Sequence, residues 1–357
     1  MRLKFLSLSF LIFALLACEN EPSSSTAETD DVKASTPSVT FKALPEQRMV
    51  EIRLDDELFT TYRYPTDIAK PILYPLTTVS GKKLTRGFPL EPQTGERTDH
   101  PHHIGYWFNY GDVNGLDFWN NSEAIAEVDK DKYGSIHHVE VVSMDEEAGQ
   151  LVVVHHWKTP DDETIIEETT QFTFSQSETT RIIDRATKLK ALIDVDFKDN
   201  KEGVAGIRVI QELELPSAAE DLVTLIGNDG LPSSEKQSNT AANGDYLSSE
   251  GRTGGDVWGR RAEWVKLEGT VKDEIVSLTL IDHPDNVGYP TYWHARGYGL
   301  FAANPLGQAI FSKGAERLNF KLAAGESVTF NYRLLIHNEH SLTADQIEYY
   351  ATQFEGQ

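Results

Sequence analysis

The sequence of 357 residues contains one cysteine, Cys18, and three methionines. A lone thiol excludes a disulfide framework within the chain and any zinc motif built on paired cysteines. Long apolar runs are equally scarce. One covers residues 5–16, too short to span a bilayer comfortably, and nothing comparable follows it. Positive charge is in deficit as well: 33 Lys and Arg against 56 Asp and Glu leave a net charge of −23. Nucleic acid is therefore not an expected partner. Helical periodicity is nearly missing too. Only the stretch from Ser341 to Tyr350 offers an N-cap candidate, Ser341, and a short amphipathic turn or two.

What is present begins with an export signal. Arg2 and Lys4 precede the apolar run, and Leu15, Leu16 and Ala17 lead into Cys18, the pattern of a lipobox. The single thiol then has a use, as the acceptor of a lipid anchor. Residues 1–17 are expected to be a lipoprotein signal peptide and residues 18–40 a disordered tether, rich in Ser, Thr, Pro, Glu and Asp and poor in large apolar side chains. Removing Arg2 and Lys4 from the 33 basic residues leaves 31 against 56 acidic, a net charge of about −25. The acidic Glu19 and Glu21 resemble the export signals of bacterial surface lipoproteins. An outer-membrane lipoprotein facing the periplasm or the cell exterior is expected, touching the membrane through its lipid alone.

The remainder reads as strands. Short β-branched and aromatic runs with period-two alternation recur between Gly, Asn, Asp and Pro turns, at residues 49–54, 137–142, 151–157, 165–174, 180–189, 204–213, 275–282 and 327–336. So many strands, with no Pro/Gly/Ser-rich break between them, predict one all-β domain over residues 41–357, a large β-sandwich with few short helices.

Polar residues of catalytic type crowd four segments: 97–119, 202–208, 243–261 and 282–305. Such density beside Gly and Pro turns suggests a pocket. His100 and His102 are two apart, so an extended backbone would point both to one side, a spacing able to hold a divalent metal; the third ligand would have to be Asp99 or Asp112. Otherwise these imidazoles bind substrate or brace the loop. The pairs His137–His138 and His155–His156 lie in strand patterns, one ring inward and one outward, and His156 beside Trp157 is the better functional candidate of these. Trp107, Trp119, Trp258 and Trp293 fall inside the polar segments, where an apolar ring face with a polar rim suits stacking on a sugar. Arg86, Arg97, Arg208, Arg260 and Arg296 could clamp a carboxylate or sulfate through paired N–H donors. An anionic oligosaccharide is the expected ligand; Trp and Arg plugging the ends of a sandwich is the competing structural explanation.

Longer motifs carry a family resemblance. The runs Lys70 to Leu76, Thr85 to Pro89, Asp99 to Trp119, Gly251 to Ala262, His283 to Asn286 and Pro290 to Pro305 resemble the bacterial family labelled "methane oxygenase PmoA", over nearly the whole domain. Methane oxygenase subunits are integral membrane proteins, and this chain shows no spanning segment after its signal. The resemblance implies instead a carbohydrate-associated protein with a galactose-mutarotase-like β-supersandwich.

The residues then suggest β-elimination on a uronic-acid sugar, by a dehydratase or a lyase. The proton removed lies α to a carboxylate, so a cation must neutralise that carboxylate while His or Tyr takes the proton. His102, His103 or His294 would be the base, Tyr292 or Tyr106 the acid on the leaving oxygen, and Arg208 or Arg260 the clamp. Arg86, Arg97, Asn109, Trp107, Trp258, His283 and Trp293 complete the expected binding set, with no resident cofactor. A glycoside hydrolase would need two carboxylates across the scissile bond, an epimerase a His and a Glu, and a binding protein only the aromatic and arginine platform.

Overall fold

The computed structural model describes residues 38–217 and 222–356. The signal peptide, Cys18 and most of the tether lie outside the described residues; the first strand begins at Val39, within the range read as tether.

Two eight-stranded sheets carry the fold, and every strand pairing in them is antiparallel. The first sheet runs, in spatial order, β1 (Val39–Leu44), β2 (Met49–Leu54), β3 (Glu57–Arg63), β4 (Ile72–Leu73), β5 (Tyr106–Tyr110), β11 (Gly203–Arg208), β16 (Leu300–Asn304) and β15 (Tyr292–Trp293). The second runs β12 (Asp245–Ser248), β13 (Trp264–Val271), β14 (Glu274–Asp282), β18 (Ser327–Asn338), β9 (Thr180–Ala191), β8 (Thr164–Gln176), β7 (Gln150–Lys158) and β6 (Ser135–Asp145). A small ribbon pairs β10 (Val195–Phe197) with β17 (Phe320–Leu322). The expected all-β sandwich is what forms.

Period-two alternation explains the layering. In β7, Leu151, Val153, His155 and Trp157 point inward between neighbours that stay partly exposed. Side chains of this kind from both sheets, such as Val50, Ile52, Phe108 and Phe301 against Phe172, Ile183, Leu278 and Leu334, make one inter-sheet core. The outer face of the second sheet is covered by α2 (Ala344–Glu355), whose Ile347, Ala351 and Phe354 pack on Trp264, Ile281 and Leu335. The other α-helix among the described residues is the single turn α1 (Gln308–Phe311). No described helix is long and apolar enough to cross a membrane.

Several elements differ from the sequence reading. The run expected as a strand to Leu213 stops at Arg208 and turns into a 3-10 segment, Gln211–Leu213. The C-terminal helix is capped by Thr343 rather than Ser341: Thr343 accepts from the Gln346 backbone N–H while the Gln346 side chain reaches back to the Thr343 N–H. Ser341 instead accepts from Lys266 Nζ. Of the paired histidines, the polar network takes the inward His155 and His138, and His156 stands outside it on the other side of its strand.

The outer face of the first sheet is where polarity concentrates. Trp107 and Asn109 of β5, Arg208 of β11 and Leu300 and Ala302 of β16 point away from the core. The Trp107 ring crosses Gly206 on the neighbouring strand, where a Cβ would sit 2.6 Å from the indole. Any larger residue there would lift the indole off the sheet. Trp119, Ile104, Ile72 and Tyr74 complete this second apolar layer, which floors the loop 97–105.

Candidate functional site

Asp99 is the pin of that loop. Its Oδ1 accepts from Arg208 Nη2 at 2.7 Å and from Arg86 Nη1 at 3.0 Å. Burial alone would raise its pKa, but His100, Arg208 and Arg86 outweigh it and hold the carboxyl well below the usual range. Arg86, itself buried, also donates to the carbonyls of Asp99, His100 and His103. Arg97 donates to the buried Glu214 at 2.7 Å. Three arginines expected as clamps are thus engaged by the protein's own oxygens, and Arg208 has no exposed surface at all.

The histidine run divides by role. Trp119 Nε1 lies 3.2 Å from His103 Nε2 and Arg208 Nη1 lies 3.3 Å from His103 Nδ1; both are donors only, so the single lone pair of the neutral ring is taken by the protein whichever nitrogen carries the proton. Complete burial and the neighbouring cations push the His103 pKa far down. Neither nitrogen has a lone pair left for a substrate. The expectation of His103 as the base is therefore replaced by a bracing role. His102 lies edge-on to it, almost buried, with Nε2 unpartnered and its pKa pushed down to about 2 by desolvation and then by Lys70.

His100 is the open member. It takes a positive φ of 44°, and its ring lies parallel to His103 at 4.9 Å and to Tyr298 at 4.8 Å. Its buried Nδ1 is 3.3 Å from Asp99 Oδ2, near enough for an ion-pair contact but out of line for a formed hydrogen bond. The carboxylate favours a proton on Nδ1, which leaves Nε2 bare on the ring edge that reaches solvent.

A second group adjoins this one through Arg296. The guanidinium lies 5.5 Å from the ring centres of both Tyr298 and Trp258. It makes no ion pair or side-chain hydrogen bond among the described residues, and it is half-exposed. Trp258 donates its indole N–H to His294 Nδ1 at 3.2 Å, so the His294 proton sits on Nε2, 3.7 Å from Glu202 Oε2. Desolvation, Lys201 and Arg296 push the His294 pKa down to about 3, and the ring is neutral at physiological pH. Desolvation raises the Tyr298 hydroxyl to about 12, so it stays protonated. The combined face therefore offers a free cation, a bare imidazole nitrogen, a phenol proton and an aromatic shelf.

Other expected residues lie elsewhere, for one recurrent reason: neighbours along a strand face opposite ways. Tyr106 and Trp293 point into the inter-sheet core while Trp107 and His294 point out. Trp107 and Asn109 are outward but fully buried, hydrogen-bonded to each other and, through Asn109, to the Phe118 carbonyl; they support the floor and reach no ligand. Tyr292 donates to Glu316, and with Arg260 it lines a separate cavity of about 440 Å³ behind Phe311. His283 lies beside Phe354 of α2, against the second sheet. Among the described residues no group of three His, Cys, Asp or Glu side chains is arranged to hold a metal.

Sequence reasoning missed Tyr298, Glu202 and Lys70. Lys70 is buried, donates to the His102 carbonyl at 2.7 Å and lies over the Trp107 ring at 5.3 Å. Desolvation lowers its pKa to about 7. Its place at the head of the motif that runs to Leu76 was the available signal.

A family model covers residues 49–352 and describes a family of unknown function, DUF6807. The chain belongs to that family. The match to DUF6807 does not carry the methane-oxygenase label that the motifs suggested. No curated protein sequence matches the chain. Among solved structures, the chain is similar to a galactose mutarotase-like protein of Clostridium acetobutylicum at 9% identity and TM-score 0.35, covering 85% of this chain and 99% of that one. It is similar to a putative aldose 1-epimerase of Escherichia coli at 12% identity and TM-score 0.31, covering 85% and 100%. An α-galactosidase of Geobacillus stearothermophilus, in complex with raffinose, matches at 10% identity and TM-score 0.34, over 84% of this chain and 40% of that one. The chain thus spans about two fifths of the length of that α-galactosidase.

Proposed function

We propose that this protein acts on anionic oligosaccharides and catalyses β-elimination at a uronate residue. The observation that carries the reading is Arg296, a guanidinium with no carboxylate partner among the described residues, held between the Trp258 and Tyr298 rings. A sugar carboxylate seated there would be neutralised as its enolate develops. His100 Nε2 takes the proton from the carbon bearing the carboxylate, the carbon–hydrogen electrons form the new double bond, and the leaving oxygen departs with the proton of Tyr298. Asp99 steadies the imidazolium that forms. Trp258 supplies the stacking face, and lipid on Cys18 holds the domain at the outer membrane.

The test is turnover on uronate-ended oligosaccharides, followed through the ultraviolet absorbance of the unsaturated product. His100→Ala and Arg296→Ala should each lower the rate by about a hundredfold or more, with thermal stability little changed. Full activity in both variants would sink the assignment. Loss of activity on chelation, restored by one ion, would return His100 and His102 to the role of metal ligands. For the anchor, Cys18→Ser should move the protein from the membrane fraction to the soluble one.

A second reading rests on the contact between His294 and Glu202. A His and a Glu on one sugar-binding face are the acid and base that an epimerase or mutarotase would use. That reading expects interconversion of sugar isomers, seen by proton NMR, with no ultraviolet change.

A further inference from the structure

A second polar network leads from the inter-sheet core to a cavity that shares only Lys70 with the site above. Glu168 of β8, His155 of β7, Tyr62 of β3 and His138 of β6 form a continuous chain, with contacts of 2.9 Å from His155 Nδ1 to Glu168, 2.7 Å from Tyr62 to His155 Nε2 and 2.8 Å from Tyr62 to His138 Nδ1. Proton positions follow from counting donors. The carboxylate holds the one proton of a neutral His155 ring on Nδ1, which leaves His155 Nε2 as an acceptor. Tyr62 has one proton and must give it there. Its oxygen can then face His138 only as an acceptor, so His138 carries its proton on Nδ1 and its Nε2 is bare.

That nitrogen belongs to a ring lining a cavity of about 300 Å³ with Arg48, Tyr64, Thr66, Lys70 and His137, near the lower end of the ~300–1,000 Å³ typical of small-molecule sites. A β-bulge in β6 follows His138 at once, a device that often re-aims side chains beside functional sites. Tyr64 packs on the His138 ring with 3.9 Å between centroids. Arg48 lies close enough to influence both Tyr64 and His138, and its guanidinium has no ion pair among the described residues.

We propose that this cavity is a second ligand site, for a hydroxyl-bearing anion such as an acidic monosaccharide unit. Arg48 binds the anionic group, and His138 Nε2 accepts a hydrogen bond from a ligand hydroxyl, its acceptor state enforced by Tyr62, His155 and Glu168. The carboxylate of a uronate and the sulfate of a sulfated sugar share this chemistry.

The experiment uses the Trp258→Ala protein, so that binding at the outer-face site is weakened independently. Nitrogen-15 NMR of the imidazoles should report His138 protonated on Nδ1 in the free protein. Titration with glucuronate or glucose 6-sulfate should shift the His138 signals, with the stronger of the two identifying the anionic group. Glucose should bind at least tenfold more weakly, and adding the exposed Arg48→Ala substitution should weaken anion binding tenfold or more. A proton on His138 Nε2, equal binding of glucose, no response of His138 to either anion, or indifference to Arg48→Ala would each overturn the proposal. None of these results bears on the elimination activity, which is read with the Trp258 protein.

Discussion

Two histidine–carboxylate contacts, one on the outer face of the first sheet and one between the sheets, show what separates a binding site from a structural network. Between the sheets, Glu168 accepts from His155 at 2.9 Å, Trp157 at 2.8 Å, Thr170 at 2.6 Å and Arg185 at 3.4 Å. Its lone pairs are filled by donors from three strands. On the outer face, Asp99 is filled on one oxygen, its contact with His100 is loose, and Arg296 has no ion-pair or side-chain hydrogen-bond partner among the described residues. A completed network fixes strand pairing, whereas an incomplete one keeps capacity for a ligand.

The largest effect should come from breaking the completed network. Removing one partner of a buried ion pair leaves the other uncompensated, so Glu168→Ala should cost about 3–5 kcal/mol, read from urea unfolding. Burial would raise the Glu168 pKa, yet His155 and Arg185 outweigh it and lower it to about 2. Because the folded value lies below the unfolded one, this contribution is complete above the unfolded pKa of about 4.3 and is lost as the pH falls toward 2. A cost under about 1 kcal/mol at neutral pH would show that the network does not hold the sheets together.

An intermediate effect is expected at Asp99. Asp99→Asn keeps an acceptor for Arg208 and Arg86 but removes the charge that both guanidiniums face. The loss should be about 1–3 kcal/mol in stability, smaller than at Glu168, together with a fall in turnover because His100 loses its orienting anion. Since the Asp99 pKa is depressed, wild type and variant should differ through mildly acidic pH and converge only as Asp99 itself becomes protonated. Convergence already near neutral pH would contradict the geometry described.

Much of the fold was legible because alternation is a local signal: the strands at Met49–Leu54, Gln150–Lys158 and Thr164–Gln176 announce themselves in their own residues. The same signal was applied too loosely within the site segments, where Tyr106 and Trp107, or Trp293 and His294, were assigned together although strand geometry sends them to opposite faces. Choosing among the arginines was beyond local reading. Arg97 is neutralised by Glu214, 117 residues away, and Arg208 by Asp99, 109 residues away. Arg260 and Arg296 both lack such partners among the described residues, and Arg296 is set apart by its place between the Trp258 and Tyr298 rings, which no spacing along the chain reveals. The His100–His103 segment, by contrast, was found from density alone, and its division into a buried bracing ring and an open one needed the positions of Trp119 and Asp99.

The smallest effect tests the shelf itself. Trp258 is the partly exposed tryptophan of the face, at 38%, while Trp107 and Trp119 beneath it are buried. A stacking ring touches substrate and transition state alike, so its removal should raise KM more than it lowers kcat. Trp258→Ala should weaken binding about tenfold, or ~1.4 kcal/mol, with kcat changed only a few-fold. The indole also fixes the His294 tautomer, so Trp258→Phe separates the two roles: it keeps an aromatic face and removes the N–H that His294 Nδ1 accepts. If elimination depends on His100 and Arg296, the Phe variant should stay close to wild type in kcat. If the reaction is instead an isomerisation run by His294 and Glu202, releasing the tautomer should lower kcat with KM nearly unchanged. The ratio of those two parameters in one conservative variant thus decides which half of the face does the chemistry.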